Sequence, residues 1–291
     1  MSVDLIQTIS GLRSRLALRR QRAAVIGLVP TMGALHAGHG RLMELARREC
    51  DCVVVSIFVN PIQFNRPDDY ERYPRTLETD LRFCGERGVN VVFAPSVEEM
   101  YPEPLRTHVD VERVSEHLCG KLRPGHFRGV ATVVAKLLSI VQPDLAYFGE
   151  KDAQQLAVIR RMVRDLNLPV EIVPVATVRE PDGLALSSRN HHLSEEQRRA
   201  APVLYRALLA AQRLVEGGAT DAREVRQAGL AIIAAEPLVR PEYLELVDTE
   251  EMQPVERIDG PVRVAVAAWL GATRLIDNVL ADAAPAKPRS G

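Results

Sequence analysis

The chain predicts an α/β fold, a parallel-sheet domain followed by a smaller α+β domain. Three observations carry that expectation. Short apolar runs alternate with amphipathic stretches through the first two thirds of the 291 residues. One run, CVVVSIFV at 52–59, is continuous and rich in β-branched residues, the pattern of a strand buried on both faces. The alternation stops near Val178, where a polar segment containing glycine and proline begins.

Taken in order, residues 25–30 are an apolar run ending in a glycine-containing turn. Residues 38–48 carry Leu42, Leu45 and Ala46 at helical spacing. The run at 52–59 is the second strand. Residues 77–87 predict a helix ended by Gly88, and 89–93 another strand. Residues 129–141 are a mostly apolar helix, and 144–148 a short strand ended by Gly149. The amphipathic stretch 152–166 is followed by Pro169, and 170–178 is the last strand of this set. Strand alternating with helix implies parallel pairing through right-handed crossovers, an open Rossmann-like sheet. Residues 179–190 (REPDGLALSSRN) predict a loop. Ser194-Glu195-Glu196-Gln197 has the form of a capping box opening a helix toward Gly217, with Pro202 placed to kink it. Residues 221–236 predict a further helix, and 243–247, 262–270 and 275–279 predict strands. The Ala/Pro/Lys-rich stretch 281–291 is expected to fray. The domains are thus expected at 1–178 and 179–291, the second acting as a lid.

Composition narrows the function. Hydrophobic residues make up 46% and aromatics only 4%, so the core is expected to be aliphatic. Lys plus Arg is 37 against 38 Asp plus Glu, a formal net charge of -1. That balance argues against nucleic acid as the main partner, because a polyphosphate backbone calls for a basic excess. Cys50, Cys52, Cys84 and Cys119 form no Cys-x-x-Cys pair and read as reduced thiols. Residues 1–7 lack the basic start and apolar run of a signal peptide, and no apolar run is long enough to span a bilayer. A cytoplasmic setting without membrane contact is therefore expected.

Open parallel sheets bind ligands beyond the carboxyl ends of their strands. Unusual polar residues follow the strands here. His36 and His39 straddle Gly38 where a helix starts. Free N–H groups and the helix dipole favour phosphate there, and two imidazoles can add donors. The competing readings are two surface histidines, or a metal site that would need a third ligand. Lys151 stands at a strand end, where an ammonium can reach a phosphate. Asp152 beside it either caps the next helix or meets a ribose hydroxyl. Ser187-Ser188-Arg189-Asn190 suits a loop closing over a triphosphate, or a hydrophilic hinge. Asn60, Gln63 and Gln155 are neutral amides suited to a small polar acid. The basic stretch 121–129 could bind an anion, line the mouth of a site or be a solvated face.

Together PTMGALHAGH, FVNPIQF, YPRT at 73–76, RPGHFRGV, FGEKD and SSRN resemble the pantothenate synthetase (pantoate–β-alanine ligase) family, within the HxGH nucleotidyltransferase group. The resemblance covers about 25–193 and continues more loosely to the C-terminus. It implies that pantoate attacks ATP to give pantoyl adenylate and pyrophosphate, and that β-alanine then gives pantothenate and AMP, with Mg2+ accompanying ATP. It places His36, His39, Lys151, Ser187, Ser188 and Arg189 around the phosphates, with Met32, Gly149, Asp152, Val178 and Leu186 also on ATP. Pantoate falls to Asn60, Gln63 and Gln155, and Asp80 to the magnesium side. A homodimer formed through the larger domain is implied as well. Three positions depart from the family pattern. Gly40 stands where a larger apolar residue is usual, Ala153 where an aromatic is common, and Leu186 where methionine is common. Gly40 is expected to loosen the helix after His39 by about 1 kcal/mol. The rival functions are another HxGH nucleotidyltransferase or adenylate-forming enzyme, a relative of the class I aminoacyl-tRNA synthetases, and a histidine-based metal or regulatory module.

Overall fold

The computed structural model describes residues 3–65 and 67–283; most of the stretch expected to fray lies outside them. In chain order the elements are β1 (Asp4–Ile6), α1 (Ile9–Arg20), β2 (Ile26–Thr31), α2 (Ala37–Glu49), β3 (Cys52–Ile57), α3 (Pro67–Glu71), α4 (Leu77–Glu86), β4 (Val91–Phe93), α5 (Val97–Met100), α6 (Leu118–Leu122) and α7 (His126–Val141). After these come β5 (Leu145–Gly149), α8 (Ala153–Asp165), β6 (Glu171–Val175), α9 (Glu195–Ala200), α10 (Val203–Glu216), α11 (Ala222–Ala234), β7 (Val239–Asp248), β8 (Val262–Leu270) and β9 (Thr273–Ala281).

The first six strands form one sheet in the order β1-β4-β3-β2-β5-β6, and every pairing is parallel. From β2 the chain winds outward through β3 and β4 on one side and through β5 and β6 on the other. The crevice between β2 and β5 is therefore the topological switch point, where such sheets bind ligands. Both sheet faces are covered. Leu28, Val54, Phe93 and Ala146 pack with Leu12 and Leu16 of α1 and the apolar length of α7 and α8. Val29, Val53, Val55 and Tyr147 pack with Leu42, Met43 and Ala46 of α2 and Cys84 of α4. The continuous burial of Cys52–Val55 explains why β3 is apolar without alternation.

The second sheet is antiparallel, ordered β7-β8-β9. Its inner face and helices α10 and α11 share a separate core that includes Leu204, Leu208, Val225, Leu246, Val264 and Leu270. Val247, Met252 and Ala265 belong instead to the core of the first sheet, so the two layers are joined by apolar packing. All four cysteines are free thiols. Among the described residues no helix is long and apolar enough to cross a membrane.

Element boundaries differ from expectation by a few residues, for identifiable reasons. The strand expected at 243–247 begins at Val239, and its register shifts between Pro241 and Tyr243. Proline has no N–H for a ladder, but β7 is an edge strand and absorbs the irregularity. The capping box at Ser194 is present in both directions, Gln197 N–H to Ser194 Oγ and Ser194 N–H to Gln197 Oε1. The helix it opens is interrupted at Pro202, giving α9 and α10. Neither β1 nor α1 is apparent from the sequence patterning. The strand has three residues, and the helix shows its register mainly through buried Leu12 and Leu16, one turn apart.

No break marks Gly40, where a loosened helix is expected. α2 runs unbroken, and Gly40 N–H reaches His36 O at 3.0 Å. Gly40 is buried, and a Cβ there would stand 2.6 Å from Arg87 Nε and 3.3 Å from Phe83 Cζ. The Arg87 guanidinium lies 3.4 Å from the Phe83 ring centroid and occupies the space a larger side chain would take. The glycine is thus matched by an arginine that packs into its place.

Candidate active site

The turn after β2 is held by three anchors. Thr31 Oγ1 donates to Ser56 O at 2.7 Å and accepts from Gly33 N–H at 3.2 Å. Gly33 takes a φ of 85°, a left-handed value that favours glycine, and Ala34 follows at 50°. The third anchor is Asp80 of α4, whose two carboxylate oxygens accept from Ala34 N–H at 3.0 Å and Leu35 N–H at 2.9 Å. Thr76 Oγ1 adds a third bond at 3.2 Å. In this geometry both carboxylate oxygens of Asp80, expected on the magnesium side, are engaged by the turn. The carboxylate is buried and engaged by the loop that carries the histidines. Among the described residues no group of three or more His, Cys, Asp or Glu side chains could hold a metal ion.

That loop delivers His36 and His39 into a reciprocal cap at the start of α2. His36 Nδ1 accepts from Gly38 N–H at 3.1 Å, and His39 Nδ1 accepts from His36 N–H at 3.3 Å. An imidazole nitrogen that accepts carries no proton, so in the neutral ring the proton sits on Nε2. Each ring therefore keeps an Nε2–H donor for a ligand. Burial, aided by the charge of Lys151, lowers His36 from 6.5 to about 4. Burial, with His36 and Lys151 beside it, lowers His39 from 6.5 to about 3. Both rings are neutral at pH 7. The ring centroids stand 4.1 Å apart. Gly38 is required between them, because a Cβ there would lie 2.8 Å from His36 Cε1.

Across the switch point, β5 ends at Gly149 and the turn Glu150–Asp152 carries Lys151. The Lys151 ammonium has no ion-pair partner among the described residues, and its charge is felt by both histidines. Asp152 precedes α8 but its side chain makes no capping bond, so the capping alternative does not hold. Its charge instead acts on His36, Tyr73 and His126.

The loop after β6 folds back on itself. Arg179 bridges Ala185, and Leu186 N–H donates to Val178 O at 2.9 Å, which brings Val178 and Leu186 together. Leu186 Cβ lies 4.0 Å from where a Cβ on Gly38 would stand, so this loop passes over the histidine turn. Ser187 Oγ accepts from Arg189 N–H at 3.3 Å and opens the 3-10 turn Ser188–His192. Lys151, Ser187 and Arg189 line one small cleft with Arg274 and Asp277 of β9. Residues of both sheets therefore meet there.

The amides divide into positioning and presenting groups. Asn60 is buried, with Nδ2 donating to Gly129 O at 3.1 Å and Oδ1 accepting from Tyr101 OH at 2.8 Å. A carbonyl only accepts, so the orientation of Asn60 is fixed, and its second Nδ2–H meets Gln63 Oε1 at 3.0 Å. Gln63 must then turn its Nε2 donor toward Met32 Sδ, 3.0 Å away. Asn60, expected on the substrate, is thus engaged in orienting Gln63. Gln154 is tied to the 114–119 segment through Val114 O, His117 O and Cys119 N–H. Its neighbour Gln155 makes no side-chain hydrogen bond among the described residues, so its amide is available.

The basic stretch 121–129 has a definite task. Arg123 Nη1 donates to His126 Nε2 at 3.2 Å, and His126 Nδ1–H donates to Gln63 O at 2.9 Å. Burial, then Arg123, lowers His126 to about 4, which keeps it neutral. Asn65 Nδ2 bonds Pro124 O, and Gly129 abuts the backbone of Gln63 so closely that a Cβ would lie 2.6 Å from Gln63 Cα. The sequence alone assigned no place in the site to Tyr73, to Tyr101, which holds Asn60, or to Arg274, which lines the cleft. The YPRT motif contained the one signal that could have flagged Tyr73.

A parallel sheet whose switch point joins a histidine-capped helix to a free lysine, under a serine–arginine loop, defines an α/β protein of the HxGH class. The sequence profile of the pantoate-beta-alanine ligase family matches residues 4–280. A pantothenate synthetase from Moorella thermoacetica is 54% identical over 280 residues, covering 96% of this chain and 99% of its own length. The crystal structure of pantothenate synthetase from Thermus thermophilus has a TM-score of 0.90 at 50% identity, covering 97% of this chain and all of that one. A pantoate-beta-alanine ligase from Francisella tularensis, complexed with beta-gamma ATP and beta-alanine, has a TM-score of 0.78 at 35% identity, covering 96% and 97% of the two chains. The chain belongs to the pantoate-beta-alanine ligase family, whose members are carbon–nitrogen ligases.

Proposed function

We propose that the chain condenses pantoate with β-alanine at the expense of ATP, releasing AMP and pyrophosphate through a pantoyl adenylate. The observation that carries the residue assignments is the reciprocal histidine cap, which leaves two neutral Nε2–H donors beside the unpaired Lys151 ammonium. In the first step a pantoate carboxylate oxygen bonds to the α-phosphorus and pyrophosphate leaves. The carboxylate is ionised at pH 7, so this step calls for alignment and charge stabilisation and no base. His36, His39 and Lys151 stabilise the phosphate oxygens, and Ser187, Ser188 and Arg189 the departing pyrophosphate. Met32, Gly149, Asp152, Val178 and Leu186 form the nucleoside side of the site, with Val178 and Leu186 flanking the adenine. Gln63 donates to pantoate through Nε2, and Gln155 supplies a second amide. In the second step the β-alanine nitrogen bonds to the acyl carbon, the bond to AMP breaks, and the amine proton passes to solvent.

Magnesium belongs to this reading as the companion of ATP, since its charge is carried in by the triphosphate. The unit boundary is placed at Val178, supported by the two sheets and the separate core of the second. A cytoplasmic homodimer formed through the larger domain follows the family pattern, and light scattering of the purified chain tests the dimer. The test of function is ATP–pyrophosphate exchange with pantoate present and β-alanine absent. Exchange that requires pantoate is the expected result. A folded protein without exchange, or exchange indifferent to pantoate, overturns the reading and favours a different nucleotidyltransferase.

A further inference from the structure

Asn278 lies in the middle of β9, opposite Ala265 of β8, and its side chain is buried. A buried amide in a strand has to be satisfied by partners. Its two acceptors are in the other sheet's territory. Nδ2 donates to Glu150 O at 2.9 Å and to Lys151 O at 3.0 Å, the first two carbonyls of the turn that carries Lys151. Oδ1 accepts from the Arg263 guanidinium. Carbonyls only accept and a guanidinium only donates, so this amide has a single allowed orientation. The backbone around it is fixed too. Asn278 N–H donates to Asp277 Oδ1 at 2.7 Å, and Asn278 O accepts from Arg179 Nη2 at 3.3 Å.

We infer that Asn278 is a positioning residue, through which the C-terminal sheet sets where the Lys151 ammonium stands. The turn Glu150–Asp152 is one short 3-10 turn, and among the described residues its lysine side chain has no ion pair to hold it. Its placement rests on the backbone, and two of the three carbonyls of that backbone are tied to Asn278. The lid sheet is thereby part of the phosphate site without contacting the phosphate through this residue. The inference rests on the reading of Lys151 as a phosphate-contacting group.

Two variants and a control decide it. Asn278→Asp keeps the size and the Arg263 partner but turns an oxygen against two carbonyl oxygens; Asn278→Ala removes all three side-chain bonds. Each is expected to lower kcat for pantoate-dependent ATP–pyrophosphate exchange by about tenfold to hundredfold, the scale of a displaced reacting group, with ATP and pantoate KM within about twofold. In a Lys151→Ala background the added Asn278→Ala is expected to change the residual rate by less than about twofold, because the group it positions is gone. Unchanged kcat in either folded variant overturns the inference. So does a loss that persists in the Lys151→Ala background, or one confined to KM and thermal stability. If Asn278→Asp does not fold, Asn278→Ala decides by the same readouts. If Lys151→Ala alone leaves exchange intact, it is the reading of Lys151 that fails, and that result is visible without any Asn278 variant.

Discussion

His36 and His39 show how a helix cap and a ligand site share the same two rings. Each Nδ1 is occupied by a backbone N–H, so each Nε2–H is left for phosphate. Nitrogen-15 spectra should therefore show both as Nε2–H tautomers, and the exchange rate should have no acid limb from these residues between pH 6 and 7. The stability sign follows from the lowered values. Unfolded, the rings take up protons near 6.5, whereas folded they resist down to about 4 and about 3. The unfolded state binds more protons in that window, so stability falls as the pH falls from 6.5 toward 4. Urea denaturation should show that fall, and it should be shallower in His36→Gln. An equal pH slope in the variant would count against the buried neutral ring. Asp80 offers a second test at this scale. Asp80→Asn replaces one acceptor facing the backbone N–H groups with a donor, and a lost hydrogen bond to a charged group costs about 1.5–3 kcal/mol. The variant should lose stability and exchange rate while keeping its magnesium requirement. A large shift in the Mg2+ concentration needed for half-activity would return Asp80 to the metal.

Among the elements, those with strong periodicity or continuous burial were legible. The five strands from β2 to β6 and helices α2, α4, α7 and α8 follow from the sequence to within a few residues. The capping box and the break at Pro202 do so as well. What sequence could not supply was compensation between elements. Gly40 reads as a weak point when α2 is considered alone, yet Arg87, from the end of α4, fills the space against Phe83. A testable coupling follows. Gly40→Ala should stabilise the protein by up to about 1 kcal/mol in an Arg87→Ala background, where helix propensity acts and only the Phe83 ring, 3.3 Å from the new Cβ, has to give. In the parent, most of that gain should vanish, because the new Cβ meets Arg87 Nε at 2.6 Å. Equal effects in both backgrounds, measured by urea denaturation, would show that Arg87 yields freely. The same limit applies to the site. The histidine pair, Lys151, the serine–arginine loop and Gln63 are visible as motifs. Asn60 takes its meaning only from the partners that α5 and α7 bring to it, Tyr101 OH and Gly129 O, and His126 from its place beside Gln63.

Across the whole molecule, the least legible feature is the junction between the two sheets, because its residues are far apart in sequence. Arg179, just after the last parallel strand, pairs with Asp277 of β9 through two bonds, at 2.6 and 3.0 Å, and its guanidinium lies 3.8 Å from the Tyr205 ring centroid. Asp277 is buried, and burial raises its carboxyl above the usual range even though Arg179 opposes the shift. Removing only the cation leaves a buried carboxylate without its partner, a change that costs about 3–5 kcal/mol. Arg179→Met should therefore destabilise strongly at pH 7. With the cation gone the folded-state carboxyl rises further, so the folded state holds the proton more tightly than the unfolded chain does. Stability is then lost as pH rises through the raised value and regained on acidification. The deficit of Arg179→Met relative to the parent should thus be smaller at pH 5 than at pH 7. Asp277→Asn removes the buried titrating carboxyl, so its deficit should be smaller and should not grow from pH 5 to pH 7. Because Asp277 Oδ1 also accepts the Asn278 N–H, Arg179→Met should slow pyrophosphate exchange as well. A deficit in Arg179→Met that is the same at pH 5 and pH 7 would mean that Asp277 is protonated or solvated without its partner. The junction would then be held by the Tyr205 stack and apolar packing, and the ion pair would not be its main support.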